Sequence, residues 1–72
     1  MNREIDRLSW EDSYAIAKQL MANYPDVDLD SVSLNDIFDW TVNLPDFHDD
    51  VQLSNDAILL DIYREWFEEA HP

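Results

Sequence analysis

Three stretches of the chain repeat apolar side chains at helical spacing. The first runs from Trp10 to Tyr24, the second from Ile37 to Leu44 and the third from Ile58 to Phe67. A recurrence every three or four positions is typical of one buried face of an α-helix. We therefore predict three helices, with core-facing residues Trp10, Tyr14, Ile16, Ala17, Leu20, Met21 and Tyr24, then Ile37, Trp40, Thr41 and Leu44, then Ile58, Leu59, Ile62, Tyr63, Trp66 and Phe67.

Each pattern is preceded by residues that cap helices. Ser9 is predicted to cap the first helix, with Asp12 three residues later bonding back to it. Small polar side chains of this kind accept a hydrogen bond from an otherwise unpaired N–H in the first turn. The candidate caps of the other two helices are Ser33 or Asn35, and Ser54 or Asn55.

Two polar connections separate the helices. Pro25 closes the first helix near Asn23, and Pro45 ends the second. Residues 25–34 alternate polar and apolar, which fits a short extended segment with Val27, Leu29 and Val32 on the core, and we interpret them mainly as a connecting loop. The Asp-rich stretch 45–53 indicates a second loop, anchored by Phe47. No convincing strand pair is present, so the fold class is all-α, a small three-helix bundle with room for a single short β-bridge.

The charge of the chain is strongly acidic and unevenly spread. It carries 17 Asp and Glu against 4 Lys and Arg in 72 residues, a formal net charge of -13. No Lys or Arg lies between Gln19 and Tyr63, where ten Asp occur. Such a surface repels nucleic-acid phosphates and anionic lipids and attracts cations or a basic protein.

The composition also limits location and chemistry. The longest apolar run, Ala57–Leu60, is far too short to span a membrane, and residues 1–7 lack the apolar stretch of a signal peptide. A cytoplasmic monomer is the expectation. Without Cys or Gly the chain has no thiolate, disulfide or glycine-rich phosphate loop, and it shows no nucleophile motif, so we predict that it is not an enzyme.

Two acidic segments invite a metal-site interpretation. Asp26-x-Asp28-x-Asp30 starts like a calcium-binding EF-hand loop, but Ser31 stands where Gly is needed and Ile37 where the bidentate Glu is needed. The second segment, His48-Asp49-Asp50 with Asp46 before it, concentrates oxygen donors and one imidazole, which suits loose binding of a divalent cation. Where tight binding is concerned, the favoured interpretation of this second segment is a solvated loop of mutually repelling carboxylates.

A family resemblance extends over about residues 8–69. The residues that carry it are Leu8-x-Trp10-x-Asp12, the Ile16–Leu20 run, Tyr24-Pro25-Asp26-x-Asp28, Asn35-Asp36-Ile37-x-x-Trp40, Leu44-x-Asp46-Phe47-x-Asp49-Asp50, and Ser54-Asn55-Asp56-x-Ile58-Leu59 with Trp66. In order and spacing they resemble the IscX family, small acidic proteins of the bacterial iron-sulfur cluster assembly (ISC) system. The chain departs from the family pattern at Phe38, where a His is expected, and at Val51, where a Pro is expected.

The resemblance implies a winged-helix-like arrangement in a single domain, residues 8–72, after an N-terminal extension, residues 1–7. It further implies weak binding of iron(II) by surface carboxylates and docking onto the cysteine desulfurase of the ISC system, with modulation of sulfur transfer and competition with frataxin and ferredoxin for a basic surface. Carried over by position, the docking residues are Asp36, Asp39, Asp46, Asp49 and Asp50, followed by Asp26 and Asp28. The implied iron ligands are Asp36, Asp39, Asp49, Asp50 and His48.

Two other functions fit an acidic helical domain. A divalent-cation buffer would bind metal but have no protein target. A nucleic-acid mimic would occupy the basic face of a DNA-binding protein and compete with DNA. The expected function is the desulfurase-binding accessory protein.

Overall fold

The computed structural model describes residues 7–71, in which three α-helices are joined through two short 3₁₀ helices. The helices are α1 (Ser13–Asn23), α2 (Leu34–Val42) and α3 (Asp56–Ala70), and the 3₁₀ helices are Leu29–Ser31 and Val51–Leu53. Within residues 7–71 there is no strand, and a single parallel bridge joins Leu8 to Phe47. The predicted all-α class with three helices is confirmed. Nearly all of the predicted extension, residues 1–6, lies outside the described residues, as does residue 72.

The start of α1 differs from the prediction. Its N-cap is Asp12, three residues after the predicted cap Ser9. Ser9 and Asp12 do pair, since the Ser9 N–H donates to Asp12 Oδ2 at 2.9 Å, but this bond closes a turn that precedes the helix. Leu8 and Trp10 form hydrogen bonds with residues 46–49. These tertiary contacts keep residues 8–10 out of the helix that their local pattern favours.

The other two helices begin at predicted caps. Ser33 and Asp36 form a reciprocal capping box, in which the Asp36 N–H donates to Ser33 Oγ at 3.0 Å and the Ser33 N–H donates to Asp36 Oδ2 at 3.1 Å. At α3, Asn55 Oδ1 accepts from the N–H of Ile58 at 2.9 Å. Sequence signals therefore fix the first turns of both helices.

The core lies where α3 packs along α1 and, less extensively, along α2. Its large apolar side chains that are completely or almost completely buried are Ile16, Leu20, Ile37, Ile62 and Trp66. Burying a large apolar side chain stabilises the fold by ~1.5–3 kcal/mol, so these five residues dominate the stability of so short a chain. No helix of residues 7–71 is long and apolar enough to cross a membrane.

The buried stripe of α1 is rotated relative to the predicted one. Tyr14, predicted to face the core, is 50% exposed, and its ring instead lies 5.9 Å from the ammonium of Lys18. The buried residues of α1 are Ile16, Ala17 and Leu20. The tyrosine prediction is wrong because the aromatic spacing Trp10, Tyr14 assumes that both residues lie on one helix, and Trp10 lies before it.

Aromatic rings connect the helices at one end of the core. Tyr24, just after α1, stacks on Trp40 of α2 with ring centroids 4.5 Å apart, and Trp40 meets the edge of Trp66 of α3 at 6.2 Å. Leu29 is buried beside them, and its carbonyl accepts from the hydroxyl of Tyr63 at 3.3 Å. The predicted loop 25–34 thus contributes a 3₁₀ turn to the core.

Candidate functional site

The acidic loop, residues 46–50, is paired with the segment that precedes α1. The Leu8 N–H donates to the carbonyl of Asp46 at 2.8 Å, and the His48 N–H donates to the carbonyl of Leu8 at 2.9 Å. Between these two bonds Phe47 is 9% exposed and serves as the predicted anchor. The backbone of the loop is therefore held on the core.

Trp10 completes the attachment of the acidic loop. Its backbone N–H donates to Asp49 Oδ2 at 3.0 Å, and its indole N–H donates to the carbonyl of Asp50 at 2.8 Å. The ring is 4% exposed, meets the edge of Phe47 at 4.6 Å and stacks on Phe38 of α2 at 6.0 Å. The pattern identified Trp10 only as a core residue. Its role as the anchor of the loop had no local signal, because the bonded partners lie 39 and 40 positions away.

The carboxylates of Asp49 and Asp50 already accept backbone hydrogen bonds. Asp49 Oδ1 accepts from the N–H of Asp50 at 2.7 Å, while its Oδ2 accepts from Trp10. Asp50 Oδ1 accepts from the N–H of Gln52 at 3.0 Å and so caps the 3₁₀ helix Val51–Leu53. Both residues therefore shape the loop as well as contributing charge to it.

Two more candidate carboxylates have the same double role. Asp36 belongs to the capping box of α2. Asp28 caps the 3₁₀ helix Leu29–Ser31, with its Oδ1 accepting from the N–H of Asp30 at 3.1 Å and its Oδ2 accepting from the Ser31 hydroxyl at 3.3 Å. Removing either side chain would change local structure together with charge.

The remaining candidates keep their side chains available to solvent or a partner. Asp26, Asp39 and His48 are exposed and Asp46 is half-buried. In the hydrogen bonds among residues 7–71, these four side chains take no part, and only backbone atoms of Asp39, Asp46 and His48 are used. They are the positions at which a charge can be altered with the least effect on the fold.

The predicted iron ligands are not gathered into one ready-made site. Across the part of the chain that the structure describes, no three His, Asp or Glu side chains are placed to hold a metal ion together. Asp36 and Asp39 lie one turn apart on α2, whereas Asp49 and Asp50 are engaged by the loop. The donor set does not fit a preassembled iron centre.

Among residues 7–71, no Lys or Arg forms an ion pair with a candidate carboxylate. Among residues 7–71 the two ion pairs join Lys18 to Glu69 at 3.4 Å and Arg64 to Asp61 at 3.2 Å. Both pairs are exposed and neither includes one of the seven candidate docking residues. Their negative charge is left without an intramolecular counter-charge in that part of the chain, so its potential extends into solvent.

Comparison with known proteins places this geometry in a family. The model of a family described as iron-sulphur cluster assembly matches residues 8–71. An uncharacterised protein of Pseudomonas aeruginosa is 42% identical over 62 residues, which cover 86% of this chain and 94% of that protein. The match begins at Leu8, the residue that pairs with the acidic loop, and includes every candidate carboxylate. The chain belongs to this iron-sulphur cluster assembly family, the IscX family that its motifs resemble.

Proposed function

We propose that this protein is an accessory factor of iron-sulfur cluster assembly that docks onto the cysteine desulfurase of the ISC system through its acidic face and modulates sulfur transfer in the cytoplasm. The acidic face is defined as the carboxylates of Asp26, Asp28, Asp36, Asp39, Asp46, Asp49 and Asp50. Family membership supports the role in cluster assembly. The desulfurase as partner is the specific part of the proposal.

The observation that carries the proposal is the absence of counter-charge on the acidic face. Ten Asp and no Lys or Arg occur between Gln19 and Tyr63, and the ion pairs of residues 7–71 leave the face uncompensated. A charged face of this kind accelerates encounter with a basic surface and fixes orientation. No comparable observation supports an enzyme mechanism. If this protein, frataxin and ferredoxin bind the same basic surface of the desulfurase, they compete for it.

The hydrogen bonds of the acidic face support docking without rearrangement. Asp28, Asp36, Asp49 and Asp50 are oriented by backbone N–H groups before any partner arrives. Fixed side chains lose less conformational entropy on binding than free ones. The face therefore combines preoriented carboxylates with the freely accessible Asp26 and Asp39.

Charge reversal at Asp39 tests the proposal. Asp39→Lys changes an exposed side chain that makes no hydrogen bond with residues 7–71, and we expect about tenfold weaker binding to the desulfurase, or ~1.4 kcal/mol. Glu68→Lys is the matched control, because it makes the same change in net charge at an exposed position of α3 outside the acidic face.

Three outcomes would contradict the proposal, two of them in a titration of the protein into the desulfurase and the third in a DNA-competition assay. No binding of the natural protein at low salt would remove the desulfurase as partner. Equal weakening by Asp39→Lys and Glu68→Lys would show that net charge, not the acidic face, governs binding. Displacement of DNA from an unrelated DNA-binding protein, with no desulfurase complex, would favour the nucleic-acid mimic.

Iron(II) enters the proposal as a weakly bound surface ion. Asp39 and His48 are the implied ligands whose side chains are exposed and make no hydrogen bond with residues 7–71, and carboxylate and imidazole groups suit this metal. Anaerobic addition of iron(II) should broaden the amide resonances near these two residues while leaving the middle of α3 sharp. Uniform broadening, or none, would remove iron from the account and leave desulfurase docking to stand on its own test.

A further inference from the structure

A cavity of about 240 Å³ lies away from the acidic loop, between the ends of α1 and α3 and the turn that leads into the first 3₁₀ helix. Its lining includes the half-buried Tyr24 and the aliphatic or thioether residues Met21, Val27 and Leu29, with Trp66, only 2% exposed, at its base. Asp28 and Asp30 also line it. The lining therefore combines apolar residues with two carboxylates.

The size of the cavity limits its occupant. Pockets that hold cofactors or drug-sized ligands measure ~300–1,000 Å³. A volume of about 240 Å³ suits a smaller group, such as one long side chain of a protein partner. The cavity is therefore matched to a single anchoring residue.

The carboxylates of the cavity determine the charge of that residue. Asp28 is fixed by hydrogen bonds from the Asp30 N–H and the Ser31 hydroxyl, and Asp30 is exposed with a carboxylate that accepts none from residues 7–71. Lys18 and Arg64 pair elsewhere, with Glu69 and Asp61. His71 also lines the cavity, and its ring packs against Phe67 at 4.5 Å. A cation from outside is the complementary occupant.

We propose that this cavity receives an arginine side chain of the basic protein that the acidic face binds. The planar guanidinium is attracted to an aromatic ring such as that of Tyr24, whose other face stacks on Trp40, and it pairs with carboxylates, while its aliphatic stem suits the apolar lining. A lysine ammonium is compact and more strongly hydrated, so it fits this combination less well. The identity of the partner rests on the proposed function. The preference of the cavity for arginine over lysine does not depend on it.

Filling the cavity tests the inference in the complex. Ala70 lines the cavity at the end of α3 and is exposed, so Ala70→Trp should block it and weaken desulfurase binding at least tenfold. Ala57→Trp is the matched control, an exposed alanine of the same helix that does not line the cavity. Asp30→Asn should weaken binding more than Glu68→Gln, which removes the same charge outside the cavity. Circular dichroism of each variant checks that the fold is kept.

A second measurement needs no partner. The ¹⁵N-labelled protein is titrated with Nα-acetylarginine amide and, separately, with Nα-acetyllysine amide. We expect saturable shifts of the Val27–Ser31 amides and the Trp66 indole N–H with the arginine probe, at least threefold weaker effects with the lysine probe, and loss of both in Ala70→Trp.

The two measurements separate the inference from the proposed function. If the natural protein binds the desulfurase but Ala70→Trp and Ala57→Trp bind alike, the cavity inference is wrong and the docking proposal stands. If the desulfurase does not bind while the arginine probe shifts the cavity resonances selectively, the docking proposal fails and the preference of the cavity for arginine stands. Equal response to both probes, or no response, overturns the inference.

Discussion

The indole N–H of Trp10 donates to the backbone carbonyl of Asp50 at 2.8 Å, and this bond joins two segments 40 residues apart. With the second bond from the Trp10 backbone to Asp49, it ties the acidic loop to Trp10, whose ring contacts Phe38 of α2 and Phe47 within the loop. A loop dense in like charges would otherwise repel itself. The aromatic core thus determines how part of the acidic face is displayed.

Replacing Trp10 with Phe should loosen the acidic loop. The variant leaves the carbonyl of Asp50 without the indole donor and places a smaller ring at a position that is 4% exposed, so we expect a loss of ~1–3 kcal/mol in the free energy of unfolding. The amide of His48, bonded to Leu8, should exchange with solvent faster. Urea titration and hydrogen exchange measure the two effects.

Trp40→Phe is the control for that experiment. Trp40 is half-buried, and its indole N–H donates to no acceptor in residues 7–71. It should lose stability through packing alone and leave exchange at His48 unchanged after correction for global stability. Equal acceleration at His48 in both variants would contradict the role of Trp10 as the anchor of the loop.

Alanine substitutions at Asp36 and Asp39 should separate the effect of helix capping on stability from the effect of losing one negative charge. Asp36→Ala removes half of the α2 capping box and should cost ~1 kcal/mol of stability. Asp39→Ala removes the same charge one turn later from an exposed side chain and should change stability by no more than ~0.5 kcal/mol. Urea unfolding followed by tryptophan fluorescence makes the comparison, and an equal loss in the two variants would exclude the capping role.

The helix periods and local caps were sufficient to predict most of the fold. Ser33 and Asn55 act through atoms three residues away, so their roles are visible in sequence. The boundary of α1 was not predictable in this way, because the bonds that hold Leu8 and Trp10 come from residues near position 50. A local sequence pattern contains no information about hydrogen-bond partners so far away along the chain.

The sequence predicted which acidic residues belong to the candidate site, but not how their side chains are arranged. Asp density identified residues 46–50, and the structure shows that Asp49 and Asp50 also bond the backbone. The sequence could not show which carboxylates accept these bonds, since that depends on how Trp10 packs. Phe38, where the family pattern predicts a His, has a packing role because its ring stacks on Trp10.

Substitution of Thr41 tests the energetic cost of a buried hydroxyl group in the core. It is 0% exposed, and its Oγ1 has no hydrogen-bond partner within residues 7–71. A buried hydroxyl without a partner costs ~1–3 kcal/mol, so Thr41→Val should raise the free energy of unfolding by about 1 kcal/mol. Thr41→Ser keeps the hydroxyl but loses a methyl group and should be destabilised. A destabilised Thr41→Val in urea titration would show that the hydroxyl has a partner in solution.

The salt dependence of association with the cysteine desulfurase tests the central claim most directly. The rate constant for binding is measured by stopped flow at low and high sodium chloride, with the affinity measured in parallel. A docking reaction guided by the uncompensated acidic face should slow at least about tenfold as screening shortens the Debye length from ~30 Å at 0.01 M to ~3 Å at 1 M. Binding whose rate and affinity do not change over that range would contradict the account.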